Sequence, residues 1–370
     1  MAKFSISEML CDLIDDLSQE HKDLAFKVLA DYDIPVPDKK LVKFERIGAN
    51  RGFNSAIHSV ILDEERNFAV KITNNKVNDI VNMLHNRELE FYEWLENCRR
   101  EGASDPRHFT HLLKFYGGTR CGSEPGIIIL NDLSSRVGIQ PNYTIGFEHD
   151  LVFQLVKHIA AYQSAYLCSE KEVSVGRELI KFDLPVQHSK PKLDKLTWMT
   201  PEEKRYLTDW TQPEILFAIY TAIPDGVEGI SPVLSHCDLW PGNMLFEQKD
   251  DKTILIAFLD WQTFKIGNPL IDVASIIGLN MNTEDRREHA GEILKMYVDE
   301  MTKRKGGFKK PFKITVEKAR ILLSHAFRWA CLELMFAIVF APQDDQKEKG
   351  QELGPLSSRL RELMNDVLGR

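Results

Sequence analysis

The chain has 370 residues, of which 43% are hydrophobic and 28% are charged, and its formal net charge is −8. These values are typical of a globular protein that is long enough for one large core or for two lobes. Nucleic acids and anionic membrane surfaces bind basic faces of proteins, so the acidic balance disfavours both as main partners. We therefore expect no nucleic-acid partner, although a local basic site remains compatible with this charge.

Signals for export, membrane insertion and metal–thiolate sites are weak. The residues from Met1 to Ser5 lack the charged start and apolar core of a signal peptide. The longest apolar run, about 14 residues from Trp329 to Pro342, is interrupted by Glu333 and suits a buried helix better than a membrane span. Six scattered cysteines without a CxxC pair indicate reduced thiols and no zinc site. We expect a cytoplasmic protein without membrane insertion.

The predicted elements change character along the chain. Residues 6–30 carry apolar positions at helical spacing and predict an N-terminal helical extension over residues 1–39. Residues 40–133 predict a small antiparallel sheet with one packed helix, from strands at 41–44, 56–62, 67–72, 112–116 and 126–130 and a helix at 79–98. Residues 134–370 are mostly helical. They include a long helix at 147–167, a polar and irregular segment at 170–212 and a buried strand at 253–259.

The strongest chemical signal is the stretch from His236 to Asn243, which reads HCDLWPGN, followed by Asp260 after an apolar strand. Phosphoryl transfer to an alcohol needs a carboxylate near the attacking hydroxyl, oxygen ligands for Mg²⁺ and cationic groups on the phosphates. Asp238 and Asn243 lie five residues apart in one loop, and Asp260 offers a second oxygen ligand. The alternative is that these are ordinary turn and capping residues, but the sheet and helix that precede them favour chemistry.

This pattern resembles the catalytic core of the protein-kinase-like superfamily, in its aminoglycoside phosphotransferase and choline kinase branch. The stretch HCDLWPGNMLF, from His236 to Phe246, is similar to the HGDLWxxNxLF motif of the CHK kinase-like proteins. That group is abundant in nematodes and includes the ecdysteroid-kinase-like enzymes of insects. Asp260-Trp261-Gln262 resembles their metal-binding D-[FW]-Q motif. The resemblance implies an α+β, two-lobed protein-kinase-like fold. Its nucleotide-binding N-lobe would span 40–133, and its catalytic C-lobe with the acceptor pocket 134–370.

The resemblance also implies roles for individual residues. Asp238 would be the catalytic base or the group that orients the hydroxyl, and Asn243 and Asp260 would hold Mg²⁺. His236 would support the loop through hydrogen bonds. Asp272 would be a loop-supporting carboxylate, with a helix N-cap as the rival interpretation.

Lys71, in the apolar strand from Phe68 to Ile72, matches the lysine that reaches the α- and β-phosphates of ATP. A lysine in such a strand is costly unless it is paired. The helix at 79–98 offers Glu88 as the favoured partner. Glu90 is the rival, and its side chain lies about 200° further around the helix.

Two further segments resemble nucleotide-binding parts of the family. Residues 47–55 resemble the glycine-rich phosphate loop, with Asn50 where a glycine is frequent; asparagine tolerates a positive φ better than most residues. The implied contacts there are Gly48, Gly52 and Ser55. Residues 129–133 resemble the hinge that binds adenine through backbone groups, with Leu130 and Asp132 as the implied contacts.

These features predict an ATP- and Mg²⁺-dependent kinase for a small-molecule hydroxyl, such as a choline-like, steroid-like or xenobiotic alcohol. A nucleotide-binding pseudokinase or scaffold is the alternative. A protein kinase is disfavoured because Asn268-Pro269 follows Asp260 within nine residues and leaves no evident activation segment. A row of aromatic and acidic side chains either lines the acceptor pocket or packs in the core. It comprises Phe327, Trp329, Glu333, Phe336 and Phe340.

Overall fold

A computed structural model describes residues 18–36, 42–47, 56–63, 66–74, 79–100, 106–138, 141, 145–169, 193–194, 196–340 and 354–370. The chain forms two compact units. Unit 1 consists of Met1–Glu101, Leu112–Gly138 and Ala257–Thr263. Unit 2 consists of Gly102–His111, Ile139–Ile256 and Phe264–Arg370.

Unit 1 is built on a five-stranded sheet with the strand order β1-β2-β3-β5-β4, in which every neighbouring pair is antiparallel. Its helices are α1 (Gln19–Asp31) and α2 (Asp79–Arg100). Its strands are β1 (Lys43–Ile47), β2 (Ala56–Ile61), β3 (Asn67–Thr73), β4 (Phe115–Thr119) and β5 (Gly126–Asn131).

The central strand β3 shows how the sheet acquires two different faces. Side chains alternate across a strand, so Phe68, Val70 and Ile72 join the apolar residues of α1 in one buried cluster. Lys71 and Thr73 point to the other face and bond to side chains of α2. Each large apolar side chain on the first face contributes roughly 1.5–3 kcal/mol by leaving water. The apolar face therefore anchors the strand, while its polar face carries Lys71.

Unit 2 is mainly helical. Its helices are α3 (His149–Cys168), α4 (Pro201–Trp210), α5 (Pro213–Thr221), α6 (Ile271–Asn280), α7 (Thr283–Arg304), α8 (Val316–Phe340) and α9 (Pro355–Leu368). Short strands form two pairs: β6 (Val233–Ser235) with β9 (Lys265–Gly267), and β7 (Met244–Lys249) with β8 (Lys252–Phe258). Every residue of α6 is buried, so this helix is the centre of the unit 2 core.

The expected α+β class is confirmed, but some element boundaries were wrong. The first predicted strand is shifted from 41–44 to 43–47, and the fourth from 112–116 to 115–119. The polar segment at 170–212 is not irregular at its end, because α4 occupies Pro201–Trp210. A capping box starts that helix: Thr200 Oγ1 accepts from the Glu203 backbone N–H, and the Glu203 carboxylate accepts from the Thr200 N–H.

Helix α8 is longer than the predicted apolar run of 14 residues. Its segment Val316–Val339 contains a stretch with a mean hydropathy of 1.5, and among the described residues it is the one helix that is long and apolar enough to cross a membrane. However, 61% of that stretch is buried inside the protein. Core helices of this length pass the same test, so the feature is weak support for a membrane span.

Candidate functional site

Lys71 is held between two carboxylates in unit 1. Its Nζ lies 2.5 Å from Glu88 Oε2 and 2.8 Å from Asp260 Oδ1. β3 supplies the lysine, α2 supplies Glu88, and the turn after β8 supplies Asp260. The Lys71 and Glu88 side chains are 11% and 2% exposed, so this ion pair is almost closed to water. The predicted pairing with Glu88, and not with Glu90, is confirmed.

The three charges set one another's protonation states. Burial alone disfavours the charged amine, but the neighbouring Asp260 and Glu88 carboxylates outweigh it and raise the pKa of Lys71. Burial also raises the pKa of Glu88. Lys71 opposes this rise, and the negative charge of Asp260 adds to it. Lys71 is therefore a fixed ammonium at neutral pH, whereas Glu88 is the group whose charge responds to its surroundings.

A second polar contact fixes α2 on the sheet, and we did not predict it. His85 Nδ1 lies 2.9 Å from Thr73 Oγ1, and His85 Nε2 lies 2.9 Å from the Thr119 carbonyl oxygen. Because a carbonyl only accepts, Nε2 carries the proton and Nδ1 accepts from Thr73. Burial lowers the pKa of His85 to about 4. A Cβ at Gly126 would lie 2.3 Å from the His85 ring, so the neutral ring requires glycine there.

Asp260 is positioned by the two residues that follow it. Trp261 is fully buried and stacks on Phe91 of α2, with ring centroids 4.0 Å apart. The Gln262 carbonyl accepts from Arg87 Nε at 3.3 Å, and its side-chain amide donates to Asp260 Oδ2 at 3.2 Å. Asp260 itself has φ +61°, a backbone conformation that non-glycine residues adopt mainly at constrained sites. Trp261 and Gln262 thus hold Asp260 in its position.

The hinge residues end the central sheet of unit 1. Leu130 lies within β5, between Ala69 of β3 and Phe115 of β4. Asp132 accepts hydrogen bonds from the Ser59 hydroxyl and, at 2.8 Å, from the Ser134 backbone N–H. Their predicted contact with nucleotide stays a prediction. The predicted phosphate-loop residues lie outside the described residues; they are Gly48, Gly52 and Ser55.

In unit 2, the loop after β6 brings Asp238 and Asn243 together. Asn243 Nδ2 donates to the Asp238 carbonyl at 2.9 Å and to Asp238 Oδ2 at 2.8 Å. A single helical turn at Pro241–Asn243 closes the loop. A Cβ at Gly242 would lie 2.3 Å from the Trp240 ring, so only glycine lets the turn fold over that ring.

Asp272 supports this loop from below. In the first turn of α6 it accepts from the backbone N–H groups of His236 at 2.8 Å and Cys237 at 2.9 Å, and from the Tyr162 hydroxyl. Burial raises the pKa of Asp272 to about 6, against the effect of these three donors. The rival interpretation as an N-cap is wrong, because Leu270 occupies that position. Cys237, at φ +63°, is held in a strained turn that these bonds stabilise.

Glu333 of α8 does not provide the acidic lining that the sequence suggested. Its side chain is buried and accepts a hydrogen bond from the Ser275 hydroxyl. Burial raises the pKa of Glu333 well above the usual range, and the charges of Asp238 and Asp272 add to the effect. The surroundings of Glu333 therefore favour its uncharged form. Trp329, one turn earlier, packs edge-on against Tyr220 at 5.3 Å, which confirms core packing for that ring.

The oxygen donors of both units fit Mg²⁺ in chemical type. Asn243 uses its amide nitrogen on Asp238, which leaves the amide oxygen as its ligand atom. The Asp260 carboxylate is 26% exposed and so is accessible to an ion. Mg²⁺ prefers such carboxylate and amide oxygens. The five cysteines among the described residues are buried and form no disulfide.

A protein-family model matches residues 31–369, which is most of the chain. It is the model of the DUF1679 family, described as "Uncharacterized oxidoreductase dhs-27". No curated protein matches the chain.

Solved structures place the fold. A variant of aminoglycoside 2′-phosphotransferase-IIIa in its GDP complex is 12% identical, with a TM-score of 0.50 over 94% of this chain and 98% of that one. Choline kinase from Cryptosporidium parvum is also 12% identical, with a TM-score of 0.50 over 94% of both chains. At this identity the likeness establishes the fold, and it agrees with the resemblance drawn from the motifs. The chain belongs to the DUF1679 family and has the protein-kinase-like fold of the aminoglycoside phosphotransferase and choline kinase branch.

Proposed function

We propose that this chain is an ATP- and Mg²⁺-dependent phosphotransferase that phosphorylates a hydroxyl group of a small molecule. The observation that carries the proposal is the buried position of Lys71 between Glu88 and Asp260. A lysine that serves only to stabilise the fold needs one carboxylate partner. A lysine with two carboxylate partners suits a binding site, because one carboxylate remains its partner when the other binds a cation. Small-molecule kinases among the solved structures of this fold support the same reaction class.

The proposal gives each group a task that follows from its chemistry. The Lys71 ammonium binds phosphate oxygens and holds them in one orientation. Asn243 and Asp260 each offer an oxygen ligand suited to Mg²⁺, which when bound would neutralise charge on the phosphates. Asp238 orients the acceptor hydroxyl and takes its proton, while Asn243 fixes the Asp238 carboxylate through its amide. Asp272 keeps the loop in this conformation through the N–H groups of His236 and Cys237.

The name of the family model suggests an oxidoreductase instead. Dinucleotide-binding oxidoreductases of the Rossmann type use a parallel sheet whose first turn carries a glycine-rich fingerprint. The five-stranded sheet of unit 1 is antiparallel, and the fold is that of phosphotransferases. We therefore favour phosphoryl transfer over hydride transfer.

The acceptor class is proposed to be a choline-like, steroid-like or xenobiotic alcohol. Glu333 is buried on Ser275, and its raised pKa disfavours a negative charge there, so nothing in this part of α8 favours a cationic acceptor over an uncharged alcohol. A pseudokinase that only binds nucleotide remains the alternative function, and a protein kinase is the weaker one.

The proposal is tested by a screen of hydroxylated metabolites, xenobiotics and sterols for ATP-dependent mass gain. On any acceptor found, Asp238→Asn is expected to lower kcat by about 100-fold or more, because a positioned base contributes at least that factor. The variant should still bind ATP. Asp299→Asn, on the exposed side of α7, is the matched control and should keep full turnover.

Each result has a definite meaning. Near-normal turnover by Asp238→Asn would show that Asp238 is not the base. Tight binding of Mg²⁺ and ATP without turnover on any acceptor class would favour the pseudokinase. Transfer to protein hydroxyls alone would favour the protein kinase.

A further inference from the structure

Two histidines and a glutamate of unit 2 form a cluster that the phosphotransferase proposal does not use. His149 begins α3, while His289 and Glu292 lie one turn apart on α7. One ligand atom from each of the three lies within 4.8 Å of the other two. The two imidazole rings are 4.4 Å apart between centroids and inclined by 45°, so they converge on the same carboxylate.

The atoms of the cluster are arranged as a metal would need them. Glu292 Oε2 lies 4.0 Å from His149 Nε2 and 3.8 Å from His289 Nδ1. A tetrahedral ion with bonds of about 2.0–2.2 Å sets its ligand atoms roughly 3.4 Å apart. The contraction required of these two distances is small, and all three side chains are partly exposed, so little repacking is needed.

A fourth residue orients the first histidine. Asp150 Oδ1 lies 3.3 Å from His149 Nδ1, the nitrogen that faces away from Glu292. A carboxylate in that position holds the proton on Nδ1 and leaves Nε2 as the electron-pair donor, as in many zinc sites. The His149 ring is also packed against Phe153 at 4.6 Å. Its orientation is therefore restrained on two sides.

The helices that carry the ligands are fixed relative to each other. The buried Tyr297 hydroxyl of α7 donates to Gln163 Oε1 of α3 at 2.6 Å. Ser164 of α3 lies 3.5 Å from the Met301 sulfur of α7. The distance between His149 and His289 is thus set by the packing of unit 2 and not by loose surface chains.

We propose that His149, His289 and Glu292 bind a transition-metal ion of the Zn²⁺ class, with Asp150 as the positioning carboxylate. Two imidazole nitrogens and one carboxylate oxygen suit Zn²⁺, Co²⁺ or Ni²⁺, whereas Mg²⁺ prefers oxygen ligands alone. Glu292 is 61% exposed, so solvent supplies the remaining ligand. The ion would join the first turn of α3 to α7. This site is distinct from the oxygen ligands proposed for Mg²⁺.

The test is calorimetric titration of the full chain with Zn²⁺ in excess Mg²⁺, which occupies sites built of oxygen ligands. We expect one Zn²⁺ per chain, and a melting temperature that rises with Zn²⁺ because the ion binds the folded state. His149→Ala and His289→Ala should each weaken binding by about tenfold or more, and Asp150→Asn by about tenfold. His21→Ala on α1 is the control and should bind Zn²⁺ as the wild type does.

Glu292→Gln guards against a folding artefact, since it keeps the size of an exposed side chain and still removes a ligand charge. The proposal is supported if it also loses Zn²⁺ affinity while its metal-free melting temperature matches that of the wild type. The proposal is overturned if the wild type binds no Zn²⁺, or if the double variant His149→Ala/His289→Ala binds it equally well. Activity plays no part in this readout, so the result is independent of the proposed phosphotransfer.

Discussion

Glu333 lies in α8, where its surroundings raise the pKa of its carboxyl group. Burial is the main cause of its raised pKa. Ser275 lowers the pKa through its hydrogen bond, and Asp238 and Asp272 raise it further. The unfolded chain releases the proton of this carboxyl group near the ordinary glutamate value of 4.5, whereas the folded chain releases it at a higher pH. Since the folded state binds more protons than the unfolded one, Glu333 lowers the free energy of unfolding as the pH rises above that value.

Replacing Glu333 by glutamine should remove this penalty and keep the contact with Ser275. Between pH 6 and pH 8, the free energy of unfolding of the wild type should fall relative to that of Glu333→Gln by up to about 1.4 kcal/mol per pH unit. Guanidinium unfolding of both proteins at the two pH values measures the difference. Glu288→Gln on the exposed side of α7 is the control. Parallel pH profiles for wild type and Glu333→Gln would show that Glu333 is ionised in the folded state.

Single residues differ in how far their partners could be predicted from the sequence. Lys71 needed a carboxylate, and the family pattern on α2 selected Glu88 correctly. His85 was missed because its partners, Thr73 and Thr119, lie on two different strands and become neighbours only in the sheet. The charge state of Glu333 was beyond prediction for a related reason. The pKa of Glu333 depends on its burial and on Asp238 and Asp272, which are remote in the chain.

Two glycines of unit 2 differ in whether the structure has room for a Cβ atom. At Gly267, at the end of β9, a Cβ would lie 2.2 Å from the Tyr220 carbonyl oxygen and 2.5 Å from Thr221 Cα. Both are backbone atoms, which have little room to move. At Gly291, inside α7, a Cβ would meet nothing within 4 Å. The first glycine allows α5 and β9 to approach, whereas the second only adds flexibility to a helix.

The two alanine variants should therefore change stability in opposite directions. Gly267→Ala is expected to lower the free energy of unfolding by about 1–3 kcal/mol, the usual cost of overpacking. Gly291→Ala should raise it by about 1 kcal/mol, because alanine loses less backbone entropy in a helix. Denaturant unfolding of the two variants and of the wild type measures both changes in the free energy of unfolding. A stable Gly267→Ala protein would mean that α5 and β9 have room to separate.

Elements with a long period were predicted better than short ones. The strand alternation of β3 and the helical spacing of α2 extend over enough residues to be recognised, and both elements were confirmed. β6 and β9 have three residues each, which is too short for a period to show. α4 was missed although Thr200 and Glu203 form a capping box, because the polar residues before it dominated the composition of the segment.

Ligand-induced stabilisation of the whole molecule distinguishes a phosphotransferase from an oxidoreductase. If it binds nucleotide as proposed, ATP with Mg²⁺ at about 100 times its Kd should stabilise the folded chain by roughly 2.7 kcal/mol. NADH should not stabilise it. Thermal unfolding with each ligand makes the comparison, and Lys71→Met is the control that should lose the ATP effect. Stabilisation by NADH and not by ATP would favour the oxidoreductase suggested by the family name.

For the whole molecule, the motifs were sufficient to predict the fold and its branch of the superfamily, but they were not sufficient to predict the acceptor. The HxDxxxxN pattern and the distant Asp260 lie in segments whose local sequence determines their turns, so the fold could be inferred from them. The acceptor depends on which faces of α8 remain open. The spacing of Trp329 is compatible with a pocket lining or with core packing, and the ring packs on Tyr220; helical spacing alone does not reveal which side of a helix is covered.

The arrangement of Lys71, Glu88 and Asp260 links the binding of a cation to the protonation of Glu88. The negative charge of Asp260 raises the pKa of Glu88. A cation bound to Asp260 would cancel part of that charge, lower the pKa of Glu88 and release any proton that Glu88 carries. Cation binding is then linked to proton release, so the affinity for the cation rises with pH. The buried triad would couple occupancy of the site to the acidity of its surroundings.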